Sequence, residues 1–128
     1  METHAYKVQV RALVYKEDGR YFARSLEMDL VGNGASEVEA LHQLQSLIEN
    51  HISFALFKND ESLILFPAER EYFDRWEKAQ QAQLRNGLFP DAAVKMHGKA
   101  VFIKITKEEL DKLRKSHRFD PMTESALA

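Results

Sequence analysis

SLEMDLVGNGASEVEALHQL, residues 25 to 44, alternates like a strand, meets two glycines within three residues, and at once takes up helical spacing. Gly32 and Gly34 open backbone conformations closed to other residues, so the chain can leave one strand, run briefly along a sheet edge and turn. Ser36 and Glu39 then form an S-x-x-E capping box. In that motif the hydroxyl accepts from the N3 amide and the carboxylate reaches back, which starts a helix at Glu37. Leu41, Leu44, Ile48, Ile52 and Ala55 recur at steps of three or four, and Ala40, Leu47 and Leu56 widen the stripe to a core-facing surface. The helix should end near Lys58, before Asn59-Asp60.

Working outward towards the N-terminus, Tyr6, Val8, Val10, Ala12 and Val14 alternate with Lys7, Gln9, Arg11 and Leu13, the period-2 signature of a half-buried strand. Asp18-Gly19 suits a tight hairpin turn because both residues tolerate positive φ. Beyond it, Phe22, Leu26, Met28 and Leu30 share one parity, with Arg24 as the exception, which predicts a second, antiparallel strand. Towards the C-terminus, SLILF (62–66) suits a further strand, and Pro67 is placed as the first residue of a second helix. From Ala68, the residues Tyr72, Phe73, Trp76, Ala79 and Leu84 keep helical spacing until Asn86-Gly87. Residues 92–105 read as a β-hairpin around His97-Gly98, and Thr106 with Glu109 caps a short helix through Leu110 and Leu113.

The totals fit one core. The chain has 128 residues, 45% of them hydrophobic, which is enough to bury most of its apolar surface without crosslinks. It has no Cys, so disulfides and thiolate metal sites are excluded and a reducing compartment, the cytoplasm, is expected. No basic-then-apolar leader and no apolar run of spanning length is present. The formal charge is −2. It is unevenly spread: residues 1–64 hold six Lys or Arg against ten Asp or Glu, and residues 65–128 hold twelve against ten. A basic partner for the first half would fit that asymmetry.

The order strand, DG turn, strand, short glycine-containing strand, capped helix and further strand resembles the HicB-like antitoxin family. The stretch YKVQVRALVYKEDGRYFARSLEMDLVGNGASEVEALHQLQSLIE, from residue 6, is similar to that family's signature, with L-x-x-D-L-V-G-x-G before the helix. The resemblance covers residues 6 to about 57. It implies a β-β-β-α-β unit, a reduced ribonuclease H-like module, that neutralises a small ribonuclease, HicA, by covering it. Many members add a C-terminal DNA-binding domain; here a single short helix after Thr106 is too little for a helix-turn-helix.

Candidate chemistry is sparse. Glu27 and Asp29 share a parity, which on a strand sets them about 7 Å apart, close enough to share a cation. Ribonuclease H chemistry needs three or four carboxylates, and the first strand supplies none between Tyr6 and Tyr15. His4, His42, His51, His97 and His117 lack metal-ligand spacing, and no serine sits in a nucleophile context. Lys112, Arg114 and Lys115 are the residues a nucleic-acid reading would use, offset by Glu108, Glu109 and Asp111. Tyr72, Phe73 and Trp76 pack a core, or meet a second copy if the sheet has no further face to offer.

The sequence therefore predicts an α+β chain. Residues 1–66 form a HicB-like β-β-β-α-β domain on a small antiparallel sheet, and residues 67–128 add a helix, a β-hairpin and a short helix packed with it as one unit. The expected function is a non-catalytic interaction module, antitoxin-like, binding a small basic protein or itself, without metal or cofactor, through Tyr21, Glu27 and Asp29. The alternatives are a degenerate metal-dependent nuclease using Glu27 and Asp29, and a nucleic-acid binder using the basic C-terminal helix.

Overall fold

The computed structural model describes residues 6–112 apart from 107 and 110. Four strands form one antiparallel sheet: β1 (Tyr6–Glu17), β2 (Arg20–Ser25), β3 (Val31–Gly34) and β4 (Lys99–Thr106), in the spatial order β3-β2-β1-β4. Two helices cover its two faces: α1 (Glu37–Lys58) and α2 (Arg70–Leu88). The fold is α+β, as the sequence predicts.

The register explains how one strand serves two cores. Val14 faces Ala23 across β2, and Val10 faces Ile103 across β4; with Ala12 they meet Ala40, Leu44, Ile48 and Ile52 of α1. The alternate residues Leu13 and Tyr15 lie opposite Arg24, Ala100 and Phe22, and meet Trp76 and Ala79 of α2. Period-2 alternation had marked β1 as half-buried. It is buried on both faces at Ala12–Tyr15, because its Leu13 and Tyr15 parity is covered by the second helix.

The turn and the α1 ends follow the sequence. Asp18 and Gly19 both take positive φ, 51° and 80°, and close the β1–β2 hairpin. Ser36 Oγ accepts from the Glu39 N–H at 3.2 Å, while the Glu39 carboxylate reaches the Ser36 hydroxyl at 3.5 Å. Asn59 ends α1 in the left-handed region.

The two glycines do a different job from the one expected. Neither Gly32 nor Gly34 has positive φ; what they supply is clearance. A Cβ on Gly32 would stand 2.5 Å from both the Ala40 carbonyl oxygen and the Leu44 nitrogen, and one on Gly34 would stand 2.5 Å from Glu39 Cβ. The backbone of β3 thus lies directly on the first turns of α1, where no side chain fits between them.

Three elements depart from the sequence reading. The second strand stops at Ser25 instead of running on to Leu30. SLILF is not a strand: the Asp60 carboxylate accepts from Ser62 N–H and hydroxyl at 3.0 and 2.6 Å, which winds Glu61–Leu63 into a 3-10 turn, and only Phe66 makes a bridge, to Met28. The hairpin over 92–105 has one arm. Val94, in the expected first arm, has its N–H and C=O taken by the Asn86 side chain at 2.9 and 3.0 Å, so only Lys99–Thr106 forms a strand, pairing with the free side of β1. That same use of Asn86 lets α2 continue through Gly87 to Leu88, and its N-terminus lies at Arg70, after Pro67. Thr106 and Glu109 make the expected reciprocal cap, with Thr106 Oγ1 accepting from Glu109 N–H at 3.2 Å. Residues 108–109 and 111–112 are helical, whereas Leu110 and Leu113 lie outside the described residues.

Both sheet edges carry a helix-borne amide. On β4 the Gln83 side chain accepts from Ala100 N–H at 2.7 Å and donates to Ala100 C=O at 3.1 Å, the pair of bonds a neighbouring strand would make. On β3 the Gln43 carbonyl accepts from Asn33 N–H at 2.6 Å. Such cover blunts an edge against pairing with another chain.

Two stability outcomes follow. Gly32→Ala should cost about 2 kcal/mol or more in chemical denaturation, because backbone must move to admit the methyl. Gly87→Ala, where the added methyl meets nothing within 4 Å, should instead gain about 0.5 kcal/mol. Gln83→Leu keeps the helix but frees the Ala100 amide; concentration-dependent self-association in sedimentation velocity is the expected result.

Candidate partner-binding surface

Residues 26–30 bend the chain from β2 to β3, and one buried hydroxyl organises the bend. Ser25 Oγ donates to the Met28 carbonyl and accepts from Leu30 N–H at 3.2 Å, and Ser25 N–H bonds to Leu30 C=O at 2.9 Å. The bend is then stapled to the segment before α2: Asp29 N–H donates to Phe66 C=O and Ala68 N–H to Leu26 C=O, both at 2.8 Å. Leu26 falls into the α2-side core and Met28 into the α1-side core.

This geometry separates the two carboxylates that a strand would have aligned. Glu27 grips Arg11 twice, Oε2 accepting from Nε at 2.6 Å and Oε1 from the backbone N–H at 2.8 Å. Asp29 Oδ1 accepts from Arg24 Nη1 at 2.6 Å. Each carboxylate is committed to its own guanidinium, and a shared cation would have to displace both. Among the described residues no group of three or more His, Asp or Glu side chains is placed to hold a metal ion.

The arginines join these acids to the aromatic face of α2. The Arg24 guanidinium lies 4.2 Å from the Tyr72 ring centroid; that of Arg11 lies 5.0 Å from Phe73 and 5.5 Å from Trp76. Burial works against the Arg24 charge, but its hydrogen bonds with Tyr15 and Asp29 prevail and hold its pKa above the ordinary value. Tyr72, Phe73 and Trp76, the residues offered to a second copy, are engaged inside the chain. Trp76 is 4% exposed, packs edge-on against Phe102 at 5.3 Å and donates to Val101 C=O at 3.4 Å. The sheet does have a second face, and α2 fills it.

Tyr21 stands apart. It pairs with Gly34 near the far end of β2, about 13 Å along the strand from Ser25, and packs against the α1-side core beneath Lys16. Of the three partner-binding candidates, only Glu27 and Asp29 lie on the bend, each turned to its own arginine. Lys112 is exposed in the last described turn, while Arg114 and Lys115 lie outside the described residues.

What sequence reading missed is the apolar part of this surface. Leu65 is 65% exposed and Phe66 40% exposed beside Asp29. They are not on a free loop: Phe66 is bridged to Met28, and His51 of α1 stacks edge-on against its ring at 4.9 Å while meeting Ile64 C=O at 3.2 Å. Reading SLILF as a strand hid this, since a strand would have buried half of it. Arg11 and Arg24 were missed as well; the break in apolar parity at Arg24 was the available signal.

Compared with protein-family models, curated proteins and solved structures, the chain matches none. No helix among the described residues is long and apolar enough to cross a membrane.

Ser25→Ala removes hydrogen bonds at a fully buried position, so denaturant melts should show a loss of about 2 kcal/mol.

Proposed function

We propose that this chain is a non-catalytic, HicB-like protein–protein interaction module of the cytoplasm, and that it engages a small partner chain through the surface formed by residues 26–30 and 64–66. The observation that supports this reading is the exposed pair Leu65 and Phe66, fastened by backbone bonds to the bend that carries Glu27 and Asp29. An apolar centre held in a fixed shape with a charged rim is the composition of a contact patch. The partner is a small basic protein of the kind the family resemblance implies. Because Arg11 and Arg24 already neutralise the two acids, the apolar pair provides the affinity and the carboxylates provide orientation.

The nuclease alternative has less to support it. Glu27 and Asp29 point to separate arginines and do not converge on one cation position. The reading of Tyr72, Phe73 and Trp76 as a dimer contact loses its motive, since those rings pack against their own sheet.

The neighbouring reading frame tests the proposal first: a short basic chain encoded there is expected, and co-expression with it is followed by size-exclusion chromatography. A stoichiometric complex that survives raised salt is expected from the wild type. Leu65→Asp with Phe66→Ser should abolish it while leaving the circular dichroism spectrum unchanged. A complex indifferent to that double substitution would move the contact elsewhere, and no complex at all would remove the proposal.

A further inference from the structure

At the other end of the sheet, remote from the bend, the segment 95–99 runs into β4 as a raised rib with a cleft on each side. One cleft, of 460 Å³, lies among Lys16, Tyr21, Glu37, Lys95, His97 and Lys99. The other, of 260 Å³, lies between the rib and α2, against Arg75, Lys78 and Ala82. The rib is pinned from both sides. Asn86 holds Val94 through two bonds, Gln83 holds Ala100 through two more, and Met96 packs into the α2-side core. Gly98 fits tightly against β1, where a Cβ would come within 3.1 Å of the Val14 carbonyl oxygen. With Met96 turned in and Gly98 flat on the strand, Lys95, His97 and Lys99 are left exposed.

The charge gathered here is out of proportion to the chain. Lys16, Arg75, Lys78, Lys95 and Lys99 with Glu37 give these two clefts a formal +4 in a molecule of total −2, so everything else carries −6. Glu37 is occupied with Lys99 at 2.9 Å, and among the described residues Lys16, Lys78 and Lys95 form no ion pair. Arg75 and Lys16 lean over the rings of Tyr15 and Tyr21, at 4.7 and 5.3 Å, which holds their charges at the cleft walls. Concentrating like charges on a pinned rib costs self-repulsion that a bound anion would relieve.

We infer that these paired clefts bind a compact, multiply charged phosphate ligand, of pyrophosphate or nucleoside-diphosphate size, straddling the rib between Lys95 and its neighbours. An extended nucleic acid fits poorly, since a strand leaving this zone would run onto surface of net negative charge. Tyr21, half-buried at the cleft wall beneath Lys16, gives an attached ring an aromatic neighbour.

The test is amide NMR titration of the full chain at low salt with inorganic phosphate, pyrophosphate, ADP and a short single-stranded oligodeoxynucleotide. Expected are saturable shifts of the residue 95–99 and Lys16 amides with pyrophosphate and ADP, tighter than with phosphate. Lys95→Glu, at an exposed position with no ion pair to lose, should weaken both by about tenfold with spectral dispersion retained. ADP binding tighter than pyrophosphate would assign the Tyr21 side to a nucleoside. Absence of saturable shifts, or shifts unchanged in Lys95→Glu, overturns the site, and oligonucleotide binding tighter than either small ligand overturns the ligand class. Leu65→Asp should leave these titrations untouched, so failure here and failure of the partner surface are separate results.

Discussion

The architecture depends on a contact with no room in it. At Gly32 and Gly34 the β3 backbone rests on the Ala40 and Leu44 turns of α1, with a missing methyl at each point of touch. This sets the height of α1 over the sheet. With that height fixed, Leu44, Ile48 and Ile52 reach Val10, Ala12 and Val14, and β1 is held at the centre of the layers. A wider gap at β3 would leave Ala12 and Ala23 facing voids, because alanine on the strand and alanine on the helix, Ala40, are the right size only for near contact.

The other face is built on a different principle. Where α1 meets the sheet through aliphatic side chains, α2 meets it through rings and guanidinium groups: Tyr72, Phe73 and Trp76 over Arg11 and Arg24. Two cations under a helix would be costly if unpaired. The bend after Ser25 resolves this by returning Glu27 and Asp29 to those arginines, so the acids that look like a candidate metal pair in the sequence balance an internal charge. The bend is thus part of the packing of α2, and beside it Leu65 and Phe66 are left exposed.

Local signals in the sequence were legible wherever one interaction decides the backbone. Asp18-Gly19, Ser36 with Glu39, and Asn59 each act within a turn, and each gave the right boundary. The stripe on α1 was readable because a single face is buried. Reading failed where side chains replaced backbone partners. Asn86 binding Val94 removed one arm of the expected hairpin, and Asp60 binding Ser62 turned an apolar run into a helical turn. The carboxylates misled for a related reason. Strand parity places Glu27 and Asp29 side by side only while the chain stays a strand, and Ser25 ends that. The basic rib was invisible because Lys16, Arg75 and Lys95 are far apart in sequence and meet only once β4 has crossed to β1.

The amide of Gln83 belongs to α2 but completes the hydrogen bonding of β4, and the Trp76 indole adds a bond to the Val101 carbonyl one residue on. Helix and strand are therefore one cooperative unit: lifting α2 bares the aromatic face and unseals the sheet margin in a single opening event. Amide hydrogens of the last strand should report the detachment of a helix that contributes none of the sheet's own ladder. Misassembly of this chain would begin with that coupled release, not with fraying of a strand by itself.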